Sequence, residues 1–266
     1  MPFITLLTDF GYRDGYPGVM KGVIWGICPE AEIADITHVI SPQNVMEGAL
    51  ALGRVAGFFP AGTVHIAVVD PGVGTHRRPV ALRLGDDYYV GPDNGLFTVV
   101  LEQAEQKNKV VEIVHLNKSE YWLPEISNVF HGRDIFAPVG AHLARGVPLR
   151  EVGALINDPV RLSIPRPQRY GSGWSGQITS IDFFGNLETN LTRDQLTELG
   201  QVLVRIGGVE IRGLVNTFGE RPVGELIALY GTHNDLIVSV VNGNAQAKLN
   251  VKVGDKVEVF PLESEK

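Results

Sequence analysis

An α/β N-terminal domain with a mostly parallel sheet, followed by an all-β barrel-like domain, is the fold class that three features of the sequence predict. Over residues 1–163, short apolar runs alternate with helix-length segments, the order of a sheet wound with helices. Those runs are nearly continuous in apolar residues, as expected of strands covered on both faces. Beyond Ser163 a stretch rich in proline and glycine gives way to short alternating strands separated by turns.

Phe3 to Leu7 is the first buried strand, ending at Thr8-Asp9-Phe10-Gly11. Pro17 then opens a helix to about Cys28, in the first turn where its missing N–H costs nothing. Glu32–Ile36 reads as the second strand. Asn44 and Glu47 have capping-box spacing ahead of a helix to about Phe58. Val64–Val69 is a β-branched third strand that stops at Asp70-Pro71-Gly72-Val73-Gly74. Strands over Val80–Leu84 and Tyr88–Val90 follow, then the turn Gly91-Pro92-Asp93-Asn94-Gly95, a helix over Leu96–Gln106, a strand over Val110–His115 and a helix over Gly132–Arg145. The segment 164–173 reads as a linker, which divides the chain into domains at 1–163 and 174–266. In the second domain strands are expected over Trp174–Ile181, Val202–Ile206, Val209–Ile211, Leu236–Val241 and Lys256–Phe260, with one helix over Thr192–Leu199. Val253-Gly254-Asp255 reads as the turn into a final edge strand.

The 266 residues suit one large domain or two smaller ones, and 44% hydrophobic with 20% charged residues is enough for a sizeable core. A net charge of −7 disfavours general binding to nucleic acid or anionic membranes. Cys28 is the only cysteine, so neither an internal disulfide nor a cysteine-based zinc site is available, and its apolar surroundings suggest an inert core thiol. The first residues carry no basic region or cleavable apolar stretch, and no run is long enough to span a bilayer, so a cytoplasmic protein is expected.

Ligands of open α/β sheets bind at the carboxyl ends of the strands. That rule selects Asp9, after the first strand, and Asp70, after the third, each with glycine close behind so that the backbone can approach a ligand. Either aspartate alone also fits a turn or cap. Arg77 follows Asp70 by seven residues, across a loop able to fold guanidinium onto carboxylate, or it is an ordinary exposed arginine. His131 lies between Phe130 and Gly132 ahead of a helix, where a structural role is equally natural. In the second domain Asp182-Phe183-Phe184-Gly185-Asn186, followed by the polar Glu188-Thr189-Asn190, and Asn242-Gly243-Asn244-Ala245 read as turns; taken alone the first is a polar β-turn, though its two aromatics beside a carboxylate and an amide could also hold a flat polar ligand, and the second could supply backbone donors. Asp9-Phe10-Gly11 copies a kinase triplet without the rest of that signature, and phosphate-loop, nucleophile-elbow, dinucleotide and His-Glu-x-x-His motifs are missing.

Taken in order, Thr8-Asp9-Phe10-Gly11, Ile27-Cys28-Pro29, residues 58–63, Val69 through Thr75, Pro92 through Leu96, Phe130 through Asp134, Asp182 through Asn186 and Asn242 through Ala245 span nearly the whole chain. In these pieces the sequence resembles the S-adenosyl-L-methionine (SAM) hydroxide adenosyltransferases, the SAM hydrolases related to the SAM-dependent fluorinase and chlorinase. The resemblance implies an α/β domain followed by a β-barrel, a homotrimer with SAM between one subunit's N-terminal domain and its neighbour's C-terminal domain, and no cofactor or metal, SAM being the substrate. The hydrolytic Asp-Arg-His set falls on Asp70, Arg77 and His131. Halogenating relatives have tyrosine in place of Asp70, and tyrosine then serine in place of His131-Gly132, so hydroxide is implied over halide. Asp9 matches the ribose-binding carboxylate. Asp182, Asn186 and Phe184 match residues of the methionine and adenine pocket. Gln43 takes the place of an aromatic near the ribose. His233 and Asn234 correspond to residues near methionine and adenine, and Asn242 and Gly243 supply substrate-binding donors.

The reaction implied is SAM plus water giving adenosine and methionine, by in-line attack at the ribose 5′ carbon. The sulfonium departs as a neutral thioether and needs no general acid. Arg77 is expected to hold Asp70 ionised and so make it a weaker base, with His131 relaying the proton; which of the two accepts it stays open. The alternatives are a metal-dependent hydrolase ligated by Asp9, Asp70 and His131, a non-catalytic sensor of SAM or adenosine, and a halogenase.

Overall fold

The computed structural model describes residues 1–262; positions 263–266, the end of the expected second domain, lie outside the described residues. The chain forms two compact units, Met1–Ser163 and Ile164–Lys266.

The first unit holds β1 (Phe3–Thr8), α1 (Tyr16–Ile27), β2 (Glu32–Thr37), α2 (Val45–Val55), β3 (Val64–Val68), β4 (Pro79–Leu84), β5 (Asp87–Pro92), α3 (Thr98–Gln106), β6 (Val111–Leu116), α4 (Ala137–Ala144) and β7 (Gly153–Leu155). A single turn of π-helix, Gly132–Phe136, leads into α4 and interrupts the continuous helix expected there. The strands form one sheet in the order β2-β1-β3-β5-β4-β6-β7. Helices α1 and α4 pack on one face with Ile4, Leu6, Ile66 and Val68, and α2 and α3 on the other with Leu7, Ala67 and Val69. Neighbouring residues of β1 and β3 therefore serve opposite cores, which is why these strands read as unbroken apolar runs.

The sheet is mixed, not mostly parallel. β2, β1, β3 and β5 pair in parallel, whereas β4 is antiparallel to both β5 and β6, and β6 to β7. The cause is local. Only Gly85 and Asp86 separate Leu84 from its partner Asp87, with Gly85 at φ 69°, and a two-residue connection closes a hairpin and never a crossover. Asn44 caps α2 as its spacing predicts, its side chain accepting from the Glu47 N–H at 3.1 Å. Cys28 is buried at the end of α1.

The second unit holds β8 (Gln168–Tyr170), β9 (Gly173–Ile181), β10 (Leu187–Thr192), α5 (Arg193–Thr197), β11 (Val202–Ile206), β12 (Val209–Arg212), β13 (Leu226–Tyr230), β14 (Asp235–Val240), α6 (Ala245–Leu249) and β15 (Lys256–Pro261). The order β12-β11-β15-β9-β10-β14-β13 is antiparallel throughout. Just beyond β12 the Val215 N–H reaches the Ala228 carbonyl of β13 at 3.0 Å, so the sheet is nearly closed into a barrel. Ile178, Leu187, Leu191, Val204, Val238 and Val257 fill its interior. Two expectations are revised. The last strand, β15, is not an edge; it lies between β11 and β9. The segment expected as linker contributes β8, paired with β9.

Candidate functional site in the first unit

β1 and β3 run parallel and adjacent, with Thr8 paired to Val68, so their carboxyl ends carry Asp9 and Asp70 to the same sheet edge. The chain after Asp70 turns tightly, Val73 N–H bonding the Asp70 carbonyl at 3.2 Å and Thr75 N–H the Gly72 carbonyl at 3.2 Å. Gly74 has φ 75°, and a Cβ there would lie 2.2 Å from the Asn128 carbonyl. Glycine is thus required where this loop packs onto the strand of chain leading to His131.

The loop returns Arg77 to Asp70. Its Nε donates to Oδ1 at 3.0 Å and its Nη2 to Oδ2 at 2.5 Å, a two-pronged pair with both side chains more than nine-tenths buried. The same Nη2 lies 3.1 Å from His131 Nδ1. A guanidinium has no acceptor, so Nδ1 must accept, and the neutral ring carries its proton on Nε2. The Arg77 carbon also sits 5.4 Å from the Phe136 ring centre, and its Nη1 is buried without a protein partner. Asp70, Arg77 and His131 therefore form one continuous cluster, with a buried donor still unsatisfied.

Burial pushes the Asp70 carboxyl up, and this outweighs the opposite pull of Arg77 and His131. Arg77 does pull Asp70 towards a weaker base, as expected, but burial is the larger effect and the net direction is upward. Burial, then Arg77, pushes His131 down, which matches its role as a neutral acceptor.

Several supporting residues lie in the quoted motifs without a role having been assigned to them. Asn94 donates from Nδ2 to the Val69 carbonyl at 2.8 Å, bracing the backbone beside Asp70. Arg78 turns the other way from Arg77, to Asp93 at 2.9 Å and to Asp158 at 2.9 Å. The turn 92–95 gave a signal for these, since Asp93 and Asn94 follow a strand end as Asp70 does. Asp134, fully buried, accepts from the Ser127 N–H at 2.8 Å and from Arg133 Nε at 2.5 Å, which fixes the approach to His131. Phe130 packs edge-on against Phe10 and Tyr16, with ring centres 5.7 and 5.1 Å apart. A Cβ on Gly132 would lie 3.3–3.4 Å from Phe130, Met20 and Phe10, so the residue beside His131 sits in a tightly packed place.

Asp9 accepts at Oδ2 from the backbone N–H of Gln43, at 2.8 Å; Gln43 adopts φ 66° to make that bond. Among the described residues no group of three or more His, Cys, Asp and Glu side chains has the arrangement to hold a metal ion, and Asp9, Asp70 and His131 form no such group.

In the second unit the predicted residues fall into two places. Asp182 accepts from Phe184 N–H at 2.9 Å, Asn186 N–H at 2.8 Å and Asn186 Nδ2 at 2.7 Å, closing its own turn. The Gly185 carbonyl accepts from the Gln246 N–H at 3.1 Å, which joins that turn to the start of α6, a few residues after Asn242 and Gly243. Phe184 is 71% exposed and Phe183 98%. His233 and Asn234 lie elsewhere, at the start of β14, whereas Asn242 and Gly243 follow its end, so roughly 20 Å of strand separates the two groups.

The chain matches the family models described as the SAM hydroxide adenosyltransferase N-terminal domain over residues 4–153 and C-terminal domain over residues 176–258. It is 37% identical to the (R)-S-adenosyl-L-methionine hydrolase of Salinispora tropica, covering 97% of both chains, and 37% identical to the hydrolase so named in Thermus thermophilus, covering 97% of this chain and 99% of that one. A crystal structure of an uncharacterized conserved protein from Thermotoga maritima superposes with a TM-score of 0.90 at 38% identity, over 97% of this chain and 99% of that one. With the cluster at the sheet edge and matches that run through both units, the chain belongs to the SAM hydroxide adenosyltransferase family.

Proposed function

We propose that this protein hydrolyses SAM, water attacking the ribose 5′ carbon in line with the departing sulfur to give adenosine, L-methionine and a proton. The observation that carries this reading is the buried Asp70–Arg77 pair with His131 against it, set in a chain 37% identical to two proteins named (R)-S-adenosyl-L-methionine hydrolase, whereas the fluorinases it also resembles share 29–34%. Those names point to the (R) sulfonium epimer as substrate.

The chemistry asks little beyond placement. The leaving group departs neutral, so the protein must align water behind the carbon and accept one proton. Alignment of this kind contributes roughly 7–11 kcal/mol in favourable cases. Asp70 is our choice of acceptor. Its oxygens each hold one bond from Arg77, which leaves lone pairs for a water, and burial raises its proton affinity. His131 presents Nε2–H as a donor that orients the water, because its other nitrogen is occupied by Arg77. Arg77 holds both groups and favours developing hydroxide.

Asp9 binds the ribose hydroxyls in this reading, and Asp182, Phe184, Asn186, His233, Asn234, Asn242 and Gly243 contribute substrate contacts. We take the working form to be a cytoplasmic homotrimer with its sites at subunit interfaces, acting on SAM without a cofactor and without nucleic-acid or membrane partners. The net charge of −7 disfavours anionic partners such as nucleic acid.

Incubating the pure protein with each SAM epimer, with and without chelator and with and without halide, tests the proposal. Adenosine and methionine in equal amounts, unaffected by chelator, are the expected products. Loss of turnover with chelator would favour a metal-dependent hydrolase, 5′-halo-adenosine a halogenase, and binding without methionine release a sensor.

A further inference from the structure

Beside the aspartate at the end of β1 lies a chain of side chains that no catalytic role accounts for. Thr8 and His38 are both fully buried, and Thr8 Oγ1 lies 2.8 Å from His38 Nδ1. Thr8 Oγ1 also accepts from the Phe10 N–H at 3.2 Å. On the far side of the ring, His38 Nε2 sits 3.1 Å from Asp35 Oδ1, off the in-line direction of a hydrogen bond. Asp35 Oδ2 in turn receives Lys21 Nζ at 2.7 Å. His38 acts a second time through its backbone, its carbonyl accepting the Gly11 N–H at 2.7 Å. The two amides that follow Asp9, those of Phe10 and Gly11, are thus both tied to this group.

We propose that Thr8, His38 and Asp35 are positioning residues that aim the Asp9 carboxylate at the ribose hydroxyls of the substrate. This rests on the reading of Asp9 given above. An Asp-His-Thr series also suggests a nucleophilic triad, but the Thr8 hydroxyl is buried and already committed to Phe10, so it has no access to an electrophile. Its value is geometric. With the ring proton on Nε2, towards the Asp35 side, the hydroxyl donates to Nδ1 and accepts from Phe10, which ties the strand end to His38. Residues 38–43 then supply the Gln43 N–H that holds Asp9 Oδ2 itself. One segment therefore fixes both the turn and the carboxylate, as supporting partners do around binding groups generally.

Thr8→Val keeps the shape and removes the hydroxyl, and Thr8→Ser restores it. Calorimetry with adenosine and with 2′-deoxyadenosine, alongside steady-state kinetics with SAM, reads the effect. Thr8→Val and His38→Asn are expected to weaken adenosine binding about tenfold and to raise KM similarly, with kcat within about threefold; Thr8→Ser stays near the parent. Binding of 2′-deoxyadenosine, which lacks one hydroxyl, changes much less, a pattern that general loosening of the fold does not produce. Asp9→Asn sets the scale. If Asp9→Asn weakens adenosine while Thr8→Val and His38→Asn leave it unchanged, the positioning role is overturned. Adenosine binding that Asp9→Asn itself leaves unchanged overturns the ribose-binding reading, and the proposal with it. Should Thr8→Val fail to fold, His38→Asn decides the matter alone.

Discussion

Asp70 in the first unit and Asp182 in the second both follow strands and both accept several hydrogen bonds, yet they are built for different tasks. Asp182 is satisfied within four residues by the amides and side chain of its own turn, a closure that any Asx-type turn supplies. Asp70 is satisfied by the charge of Arg77, itself tied to a histidine 54 residues further along, in a buried place where the carboxyl's proton affinity rises. Local closure yields a rigid turn. A long-range charged partner in a dry site yields a group whose state matters to chemistry.

The largest way to break this contrast is to remove Asp70. Asp70→Ala is expected to lower turnover by about 10²–10⁴-fold. It also leaves Arg77 buried and unpaired, at a cost of about 3–5 kcal/mol of stability. Product release and urea unfolding measure the two effects separately, and His131→Ala should reproduce the first with much less of the second.

Next in size is an acid sensitivity confined to the first unit. His65 on β3 is buried between Thr5, at 2.7 Å, and the stacked ring of Tyr89, and burial pushes it down to about 4 from 6.5. Because the folded value lies below the unfolded one, its stabilising contribution is complete above about pH 6.5 and is lost as pH falls towards 4. The loss amounts to about 3 kcal/mol. Urea midpoints followed from pH 7 to pH 4.5 should show it, with a shallower dependence in His65→Gln.

Gly74→Ala sharpens the comparison by moving the loop instead of the charge. The added Cβ meets a backbone carbonyl at 2.2 Å and a φ of 75°, so about 1–3 kcal/mol of strain is expected, together with a fall in kcat as Arg77 shifts from His131. Asp182→Ala is the mildest. It should cost about 1–2 kcal/mol, seen by thermal melting, and act on KM more than on kcat.

The sequence made the first unit's strand ends legible, because unbroken apolar runs mark buried strands and the carboxyl-end rule then singles out Asp9 and Asp70. Arg77 and His131 were not visible in this way. What joins them is the close approach of Gly74 to Asn128, a tertiary contact that leaves no periodicity, so spacing gave them only weak support and the family resemblance gave them a role. The hairpin that makes the sheet mixed was written in Gly85-Asp86, but strand-helix alternation around it masked the signal. In the second unit β10 and β13 escaped for opposite reasons. β10 alternates Leu187, Thr189 and Leu191 with polar residues and buries the hydroxyl of Thr189 against the Leu236 carbonyl, so its sequence carries too few apolar residues to mark a strand. β13 serves two cores, with Ala228 facing one and Ile227 and Leu229 another, and shows no alternation at all.

The central claim is that water, placed by Asp70, Arg77 and His131, becomes the 5′ oxygen of adenosine. Hydrolysis of (R)-SAM in ¹⁸O-labelled water, followed by mass spectrometry of both products after a single turnover, tests it most directly. One ¹⁸O is expected in the 5′-hydroxyl of adenosine and none in methionine, with the labelled product lost in Asp70→Ala. Label in the amino-acid product, or labelled adenosine formed at the parent rate by Asp70→Ala, would contradict it.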